Sequence, residues 1–231
     1  MTVLHLSFDF PDSIVPEKTK AVFNLVQSQT LYRNHVFSLN RSANLSGDFM
    51  PKKEDFGYSM NVFGLPFGLG LNVWMYLISL KIERIIKRDK IEVSVIHAHK
   101  LTFEGLIAYH LSKKLNVPYI LTIRGDSDLR IVRSKKECRF IYKMIVEKAS
   151  KVIFLAPWSI DALEQYFPTS NIRQKSELIP NIIEVSKRLL ATTMRSDTSS
   201  FITVFNFKSF KRKNIKRVIR AFDILHETYP Q

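Results

Sequence analysis

Short apolar runs that favour β-strands alternate with stretches of helical spacing along most of this chain. The six strand-like runs are VLHLSFDF, HVFSL, SVIHA, PYILTI, KVIFLA and KSELIP. Between two of them, Phe103, Leu106, Ile107 and Leu111 recur at the intervals of a helix with one apolar face. Strands that alternate with helices predict an α/β fold in which helices cover both faces of a doubly wound, mostly parallel sheet.

The chain has three predicted segments. Residues 1–183 contain all six runs and predict one complete domain. Residues 184–200 end in small polar residues and predict a linker. Residues 201–231 hold a fresh apolar run, a basic loop and an amphipathic helix that should begin near Asn214. They predict the incomplete start of a second α/β domain.

The charge and the cysteine content narrow the class of partner and the compartment. The formal net charge is +14, from 35 Lys and Arg against 21 Asp and Glu. A surplus of this size favours an acidic partner: a nucleotide or phosphate-bearing substrate, nucleic acid, or an anionic membrane. The one cysteine, Cys138, cannot form an internal disulfide, and the amino terminus lacks the basic start of a secretory signal. These features predict a cytoplasmic protein.

Residues 62–80, VFGLPFGLGLNVWMYLISL, approach the length of a membrane span. Glycine, proline and asparagine crowd the first half, so we predict instead a buried loop that leads into a core helix ending near Arg88. The alternative is a peripheral contact with the inner face of an anionic membrane. That contact would use Phe63, Leu65, Phe67, Leu69 and Trp74.

Ligands of parallel α/β sheets bind beyond the carboxyl ends of the strands, so the polar residues there are candidates for a site. The loop DFPDSIVPEK after the first run is either a solvated turn or a substrate-facing loop; it holds Asp9, Asp12, Glu17 and Lys18. After the third run, His97 and His99 are two residues apart and would share one face of an extended strand. No third metal ligand has suitable spacing, so we predict hydrogen bonding and no metal site.

Two further loops carry dense charge. In RGDSDLR, Gly125 permits a tight turn, and Arg124, Asp126 and Asp128 either pair with one another or face a ligand. In NFKSFKRKN, cations stand just before the last helix: Lys208, Lys211, Arg212 and Lys213. Cations at this end oppose the helix dipole, and they are favourable if a phosphate binds there. The alternative is a solvated basic face.

These landmarks, in this order, resemble GT-B glycosyltransferases of family 4. VIHAHKLTFEGLIAYHLSKKLNVPYILTIRGDSD is similar to a stretch of their first domain, LIPNII to their interdomain IPNG signature, and NFKSFKRKNIKRVIRAF to the opening strand and helix of their donor domain. The resemblance implies two Rossmann-like domains that face each other across a cleft. The first would bind the acceptor and the second a nucleotide-sugar donor, with retention at the anomeric carbon and with no metal or other cofactor.

The resemblance also implies roles for particular residues. His99, Arg124 and Asp126 would form the catalytic, acceptor-side part of the cleft. Lys208 and Lys211 fall where the family binds the donor diphosphate, with Lys213 beside them. Three positions depart from the family pattern: Arg124 stands where a histidine is common, Ile182 replaces the signature glycine, and SIVPEK lacks a glycine-rich loop.

The implied activity is hexosyl-type transfer from a nucleotide sugar to a glycan or lipid-linked acceptor, as in polysaccharide biosynthesis. The paired-glutamate motif that holds the donor sugar lies beyond residue 231, so we expect this chain to be inactive alone. One alternative is a non-catalytic acceptor-domain protein. Another is a basic module that binds an anionic membrane or nucleic acid, but the basic residues are spread along an enzyme-like pattern, so no nucleic-acid partner is expected.

Overall fold

A computed structural model describes residues 1–42, 44, 48–65, 69–168, 171–182 and 214–228. The chain divides into two compact units, Met1–Glu184 and Val185–Gln231. The linker predicted at 184–200 and the strand predicted from residue 201 lie outside the described residues, so the proposed domain boundaries stay predictions.

The described part of the first unit contains eight strands in one sheet. The strands are β1 (Thr2–Ser7), β2 (Arg33–Ser42), β3 (Lys52–Glu54), β4 (Gly57–Phe63), β5 (Val95–Ala98), β6 (Tyr119–Ile123), β7 (Lys151–Phe154) and β8 (Ser176–Leu178). Their order across the sheet is β3-β4-β2-β1-β5-β6-β7-β8. Neighbouring strands are parallel except for β3, which runs antiparallel to β4.

Helices connect these strands. They are α1 (Ala21–Ser28), α2 (Leu71–Arg88), α3 (Glu104–Leu115), α4 (Asp126–Ser134), α5 (Arg139–Lys148) and α6 (Trp158–Tyr166), and α7 (Ile215–Thr228) belongs to the second unit. All six predicted strands are present, and the predicted doubly wound, mostly parallel α/β fold is confirmed. The predicted starts and ends of two helices also agree, because α2 ends at Arg88 and α7 follows Asn214.

The sequence prediction missed β3 and β4. Strand β4, GYSMNVF, alternates Tyr58, Met60 and Val62 with polar residues, a pattern that is harder to recognise than a continuous apolar run. The buried loop predicted from residue 62 was therefore wrong at its start, since Val62 and Phe63 complete β4. From Leu71 onward the predicted core helix is correct.

The two faces of the sheet differ in chemistry. One face is apolar and packs against α2, α3, α5 and other helices in a single large core. Its strand residues include Leu4, Leu6, Phe37, Leu39, Ile96, Leu121 and Phe154. Apolar burial of this extent is the main driving force for folding, at about 25 cal/mol for each Å² removed from water.

The opposite face carries buried polar side chains. They include His5, Ser7, Ser38, Ser59, His97, His99 and Thr122. Helix α1 packs on this face through a small apolar cluster in which Val22 and Val26 contact Val36 and Phe10. Helices therefore lie on both faces, as predicted, but the polar face has the smaller apolar core.

No helix in the described ranges is both long and apolar enough to cross a membrane. Of the residues in the alternative membrane contact, Phe63 is buried and its ring packs edge-on against Trp74, with centroids 4.9 Å apart. Leu69 is 62% exposed, and Phe67 lies outside the described residues. The peripheral membrane contact stays a prediction.

We predict that Gly57→Ala destabilises the first unit by roughly 2 kcal/mol or more. Gly57 has φ of +140°, and an added Cβ would lie 2.4 Å from the carbonyl oxygen of Val36, a backbone atom that cannot move aside within the sheet. The control is Gly64→Ala, whose Cβ would meet only the flexible side chain of Arg41. Thermal unfolding of both variants measures the difference, and equal melting temperatures would contradict the prediction.

Candidate functional site

The carboxyl ends of the parallel strands bring the predicted acceptor-side residues to one edge of the sheet. His99 follows β5 and Arg124 follows β6, so both lie at this edge as the sequence predicted. Asp126 begins α4 at the same edge and is exposed. Asp9, which follows β1, lies there too.

Arg124 lines a pocket of about 80 Å³ at this edge. Its Nη1 donates a hydrogen bond of 2.9 Å to the Oδ1 atom of Asn181, in the segment after β8. Its Nε atom is buried and has no hydrogen-bond partner among the described residues. The pocket is therefore lined by a cationic side chain, which suits an oxygen-rich ligand.

The carboxylate of Asp128 holds the site's two loops together. It is fully buried, and its Oδ1 accepts hydrogen bonds from the backbone N–H groups of Leu101, at 3.1 Å, and Thr102, at 3.4 Å. Its Oδ2 accepts one of 3.2 Å from the N–H of Arg124. The loops after β5 and β6 are thus joined through the Asp128 side chain. Because its oxygens already accept backbone hydrogen bonds, we assign Asp128 a structural role and no direct contact with a ligand.

An ion pair and a buried carboxyl group lie at the same edge of the sheet as Asp128. The Nζ atom of Lys100 lies 2.6 Å from the Oδ2 of Asp9, with side chains that are 19% and 27% exposed. Glu104, in the first turn of α3, is fully buried and accepts a hydrogen bond of 3.0 Å from the N–H of Phe8. We call Asp9, Lys100, Glu104, Arg124 and Asp128 the edge cluster.

Burial changes the acid–base properties of the edge cluster. It raises the pKa of Glu104 to about 7 and the pKa of Asp128 to about 6, and nearby positive charge and N–H donors only partly oppose the rise. Burial also opposes the charge of Lys100, but the carboxylates of Glu104 and Asp9 hold its pKa above the ordinary value. Arg124 has a lowered pKa, chiefly because it is buried.

The loop after β1 is fixed by a buried ion pair. Asp12 lies 2.9 Å from the Nζ of Lys18, and it also accepts hydrogen bonds from the side chain of Asn40 and the backbone N–H of Val15. Neighbouring Glu17 is exposed. The solvated-turn interpretation was therefore wrong for Asp12 and Lys18, whose role is to hold the loop against β2.

His97 and His99 share one face, as predicted, and a third histidine lies beside them. His5 of β1 is paired in register with His97 of β5, and one ring nitrogen from each of His5, His97 and His99 lies within 4.8 Å of the others. The sequence prediction that no third ligand is near was wrong, because spacing along the chain does not show that β1 and β5 are neighbours. The predicted hydrogen bonding is confirmed: His97 bonds to Thr122 and His99 to His5.

The three imidazoles are electrically neutral at physiological pH. Burial lowers the pKa of His5 to about 4, and it lowers the pKa values of His97 and His99 well below their ordinary range. His99 is fully buried, so its ring does not line the open pocket.

Lys208, Lys211 and Lys213 lie outside the described residues, so their phosphate-binding role stays a prediction.

The sequence analysis did not assign Glu104 or Lys100 to the site. Glu104 had a readable signal, because it occupies the apolar face of α3 with Ile107, Ala108 and Leu111 at helical spacing.

We predict that Glu104→Gln flattens the pH dependence of stability between about pH 4.5 and 7. The folded-state pKa of Glu104 is about 7, above its ordinary value of 4.5, so its favourable contribution is complete below pH 4.5 and is lost as the pH rises through 7. The loss amounts to about 3 kcal/mol.

Thermal unfolding from pH 4.5 to 8 of wild type, Glu104→Gln and the exposed-site control Glu17→Gln tests this prediction. As the pH rises, the melting temperature of the wild type should fall relative to that of Glu104→Gln. The difference between the wild type and Glu17→Gln should stay constant. A constant difference between wild type and Glu104→Gln would contradict the pKa assignment.

Comparison with solved structures identifies the fold. Sucrose-phosphate synthase from Thermosynechococcus elongatus matches with a TM-score of 0.54 at 14% identity, over 78% of this chain and 47% of that one. A trehalose-6-phosphate structure from E. coli, bound with UDP-2-fluoro glucose, matches with a TM-score of 0.50 at 10% identity, over 80% of this chain and 49% of that one. At such identities the likeness shows the fold alone, which is the Rossmann-like GT-B fold that the sequence predicted.

Comparison of sequences identifies the family. The chain is 27% identical over 108 residues to an uncharacterized glycosyltransferase of Methanocaldococcus jannaschii, a match that covers 47% of this chain and 28% of that protein. The match thus spans less than half the length of that relative and of the two structures named above. The sequence profile of Glycosyltransferase Family 4 matches residues 32–187. Because this match covers more than half of the 231 residues, the chain belongs to Glycosyltransferase Family 4.

Proposed function

We propose that this chain is the acceptor-side part of a glycosyltransferase that uses a nucleotide-sugar donor. The reaction is hexosyl-type transfer, with retention of configuration, to a glycan or lipid-linked acceptor in polysaccharide biosynthesis. The transfer uses groups of a donor-side domain together with this acceptor-side part, and no metal takes part in it. The protein acts in the cytoplasm, with a peripheral contact at the inner face of the membrane where the acceptor is lipid-linked.

The observation that carries this proposal is the environment of Arg124. Its Nε is a buried donor without a partner in the described ranges, and it lies at the carboxyl edge of a parallel sheet, where ligands of such sheets bind. Hydroxyl and phosphate oxygens of a nucleotide sugar are suitable acceptors for this group. The matched E. coli structure holds such a molecule, UDP-2-fluoro glucose, which supports the choice of donor class.

Within this proposal, Arg124 belongs to the acceptor-side domain and contacts oxygens of the nucleotide-sugar donor across the cleft. The guanidinium donates to Asn181, and the backbone N–H of Arg124 donates to Asp128, so the residue is already oriented before the substrate arrives. Such preorganised charge stabilises negative charge that develops in the transition state without the cost of reorganising water. We propose that Asp126, which is exposed, accepts a hydrogen bond from an acceptor hydroxyl.

His99 takes a different role from the one that the family resemblance implies. Its ring is fully buried and bonded to His5, so we propose that it positions the end of β5 and does not contact the substrate directly. On the donor side, we propose that Lys208, Lys211 and Lys213 bind the diphosphate and stabilise the departing nucleotide.

We predict that Arg124→Ala lowers the rate of sugar transfer by roughly one to three orders of magnitude, the range for loss of one preorganised donor. The measurement uses a version of the protein that carries a complete donor-side domain. Arg130→Ala is the matched control, because Arg130 is an exposed arginine on α4 in the same loop-helix unit. Equal turnover of the two variants, with equal melting temperatures, would contradict the role proposed for Arg124.

A separate prediction concerns the basic loop. In the same longer protein, Lys208→Ala and Lys211→Ala should each reduce transfer by roughly ten- to a thousandfold, since each removes a charge that stabilises the leaving phosphate. The control is Lys216→Ala, which removes an exposed lysine of α7. Unchanged turnover in the first two variants would show that the lysines are a solvated basic face.

A further inference from the structure

Three buried imidazoles converge on the polar face of the sheet, and the proposed transfer reaction assigns none of them a contact with substrate. The side chains of His5 and His97 are adjacent because their strands pair in register, and His99 follows two residues later on the same face. Ring centroids are separated by 5.4 Å for His5 and His97, 5.3 Å for His5 and His99, and 4.2 Å for His97 and His99. We call these residues the histidine cluster.

The hydrogen bonds of Asn34 define the tautomer of His5. The amide nitrogen of Asn34 donates to the carbonyl oxygens of Val26 and Gln29, so its Oδ1 is the acceptor that faces His5. His5 therefore carries its proton on Nε2, which donates to that oxygen at 3.1 Å. The Nδ1 atom of His5 is left with a lone pair directed into the cluster.

His99 and His97 complete the arrangement. The Nε2–H of His99 donates to Nδ1 of His5 at 3.0 Å, while Nδ1 of His99 is buried and has no partner among the described residues. Nε2 of His97 lies 2.7 Å from the hydroxyl oxygen of Thr122. Two of the three rings are therefore held through their outer nitrogen by an amide oxygen or a hydroxyl group. Metal-binding histidines are oriented by outer-shell contacts of the same kind.

We propose that the histidine cluster binds one transition-metal ion of the Zn²⁺ class, through one nitrogen each of His5, His97 and His99. Zinc–nitrogen bonds of about 2.0–2.1 Å in a tetrahedral site place two ligand nitrogens about 3.4 Å apart. The 3.0 Å between Nδ1 of His5 and Nε2 of His99 needs only a small increase to reach that separation.

The exchange of proton for metal balances within the cluster. The proton now shared between His5 and His99 moves to Nδ1 of His99, the buried lone pair that has no partner among the described residues. The metal ion then binds the lone pairs on Nδ1 of His5 and Nε2 of His99. His97 borders the pocket of about 80 Å³, which has room for a water molecule as the fourth ligand.

The charges around the cluster are compatible with a cation. Metals bind the lone pair of a neutral imidazole, and the hydrogen bonds of Asn34 leave such a lone pair on Nδ1 of His5. Lys100 and Arg124 are positive, but the carboxylates of Asp9, Glu104 and Asp128 lie around them and reduce their repulsion of an ion. The ion would join β1 to β5 behind the edge cluster, and no step of sugar transfer is assigned to it.

The test is titration of the 231-residue protein, without a polyhistidine tag, with Co²⁺ followed by displacement with Zn²⁺. We expect one Co²⁺ per chain, the visible absorption of a tetrahedral site, and loss of that absorption when Zn²⁺ is added. The absence of a one-to-one Co²⁺ complex in the wild type would overturn the proposal outright.

Variants locate the ion. His5→Gln and His97→Gln should each weaken Co²⁺ binding by roughly 100-fold or more, while the control His35→Gln, a half-buried histidine on β2, should bind like wild type. Thr122→Val keeps all three ligands and removes only the outer-shell hydroxyl, and it should weaken binding by roughly 10- to 100-fold.

Thr122→Val also decides the question if the histidine variants do not fold. Wild-type affinity in Thr122→Val, confirmed as folded by its unfolding transition, would overturn the assignment. Equal weakening in His35→Gln would also overturn it, because the bound ion would then not be specific to the histidine cluster.

Discussion

Every polar side chain that the sheet buries on its second face must find a hydrogen-bond partner inside the protein. An unpaired buried donor or acceptor costs about 1–3 kcal/mol, so an arrangement of this kind is stable only when the partners are supplied by neighbouring strands and loops. The loop after β1 supplies Asp12 to Lys18 and Asn40, β2 supplies Asn34 to His5, and β6 supplies Thr122 to His97. Nε of Arg124 and Nδ1 of His99 have no partner among the described residues, so they are candidates for contact with a ligand.

The edge cluster follows from the same constraint, applied to charge. A buried carboxylate is expensive unless it is hydrogen-bonded, and Asp128 is stabilised by the backbone N–H groups of two separate loops. Its burial therefore fixes the geometry of the site instead of supplying a reactive group. Glu104 accepts a hydrogen bond from the N–H of Phe8, its second carboxylate oxygen has no partner among the described residues, and burial raises its pKa to about 7.

Sequence reasoning predicted the fold because strand and helix patterns are local. Runs such as PYILTI could be assigned as strands from a few residues, and the parallel order of the sheet then placed His99 and Arg124 at one edge. The alternating strand β4 gave a weak signal and was missed. What local pattern cannot show is which strands are neighbours, so the approach of His5 to His97, and with it the third member of the histidine cluster, could only come from the structure. Asp126 and Asp128 illustrate the same limit, because the sequence does not show which of two nearby carboxylates turns inward.

Arg124 changes what the carboxyl edge can do chemically. Related sequences commonly have a histidine at this position, by the resemblance described above, and an imidazole near neutral pH can either donate or accept a proton. A guanidinium stays protonated even when burial lowers its pKa, so Arg124 supplies charge and hydrogen-bond donors but no general base. Within the edge cluster, the pKa values of Glu104 and Asp128 are about 7 and about 6, and both side chains are fully buried with backbone partners. In the proposed transfer, Arg124 therefore acts by electrostatic positioning, and a proton that leaves the acceptor passes to another group, such as the departing phosphate of the donor.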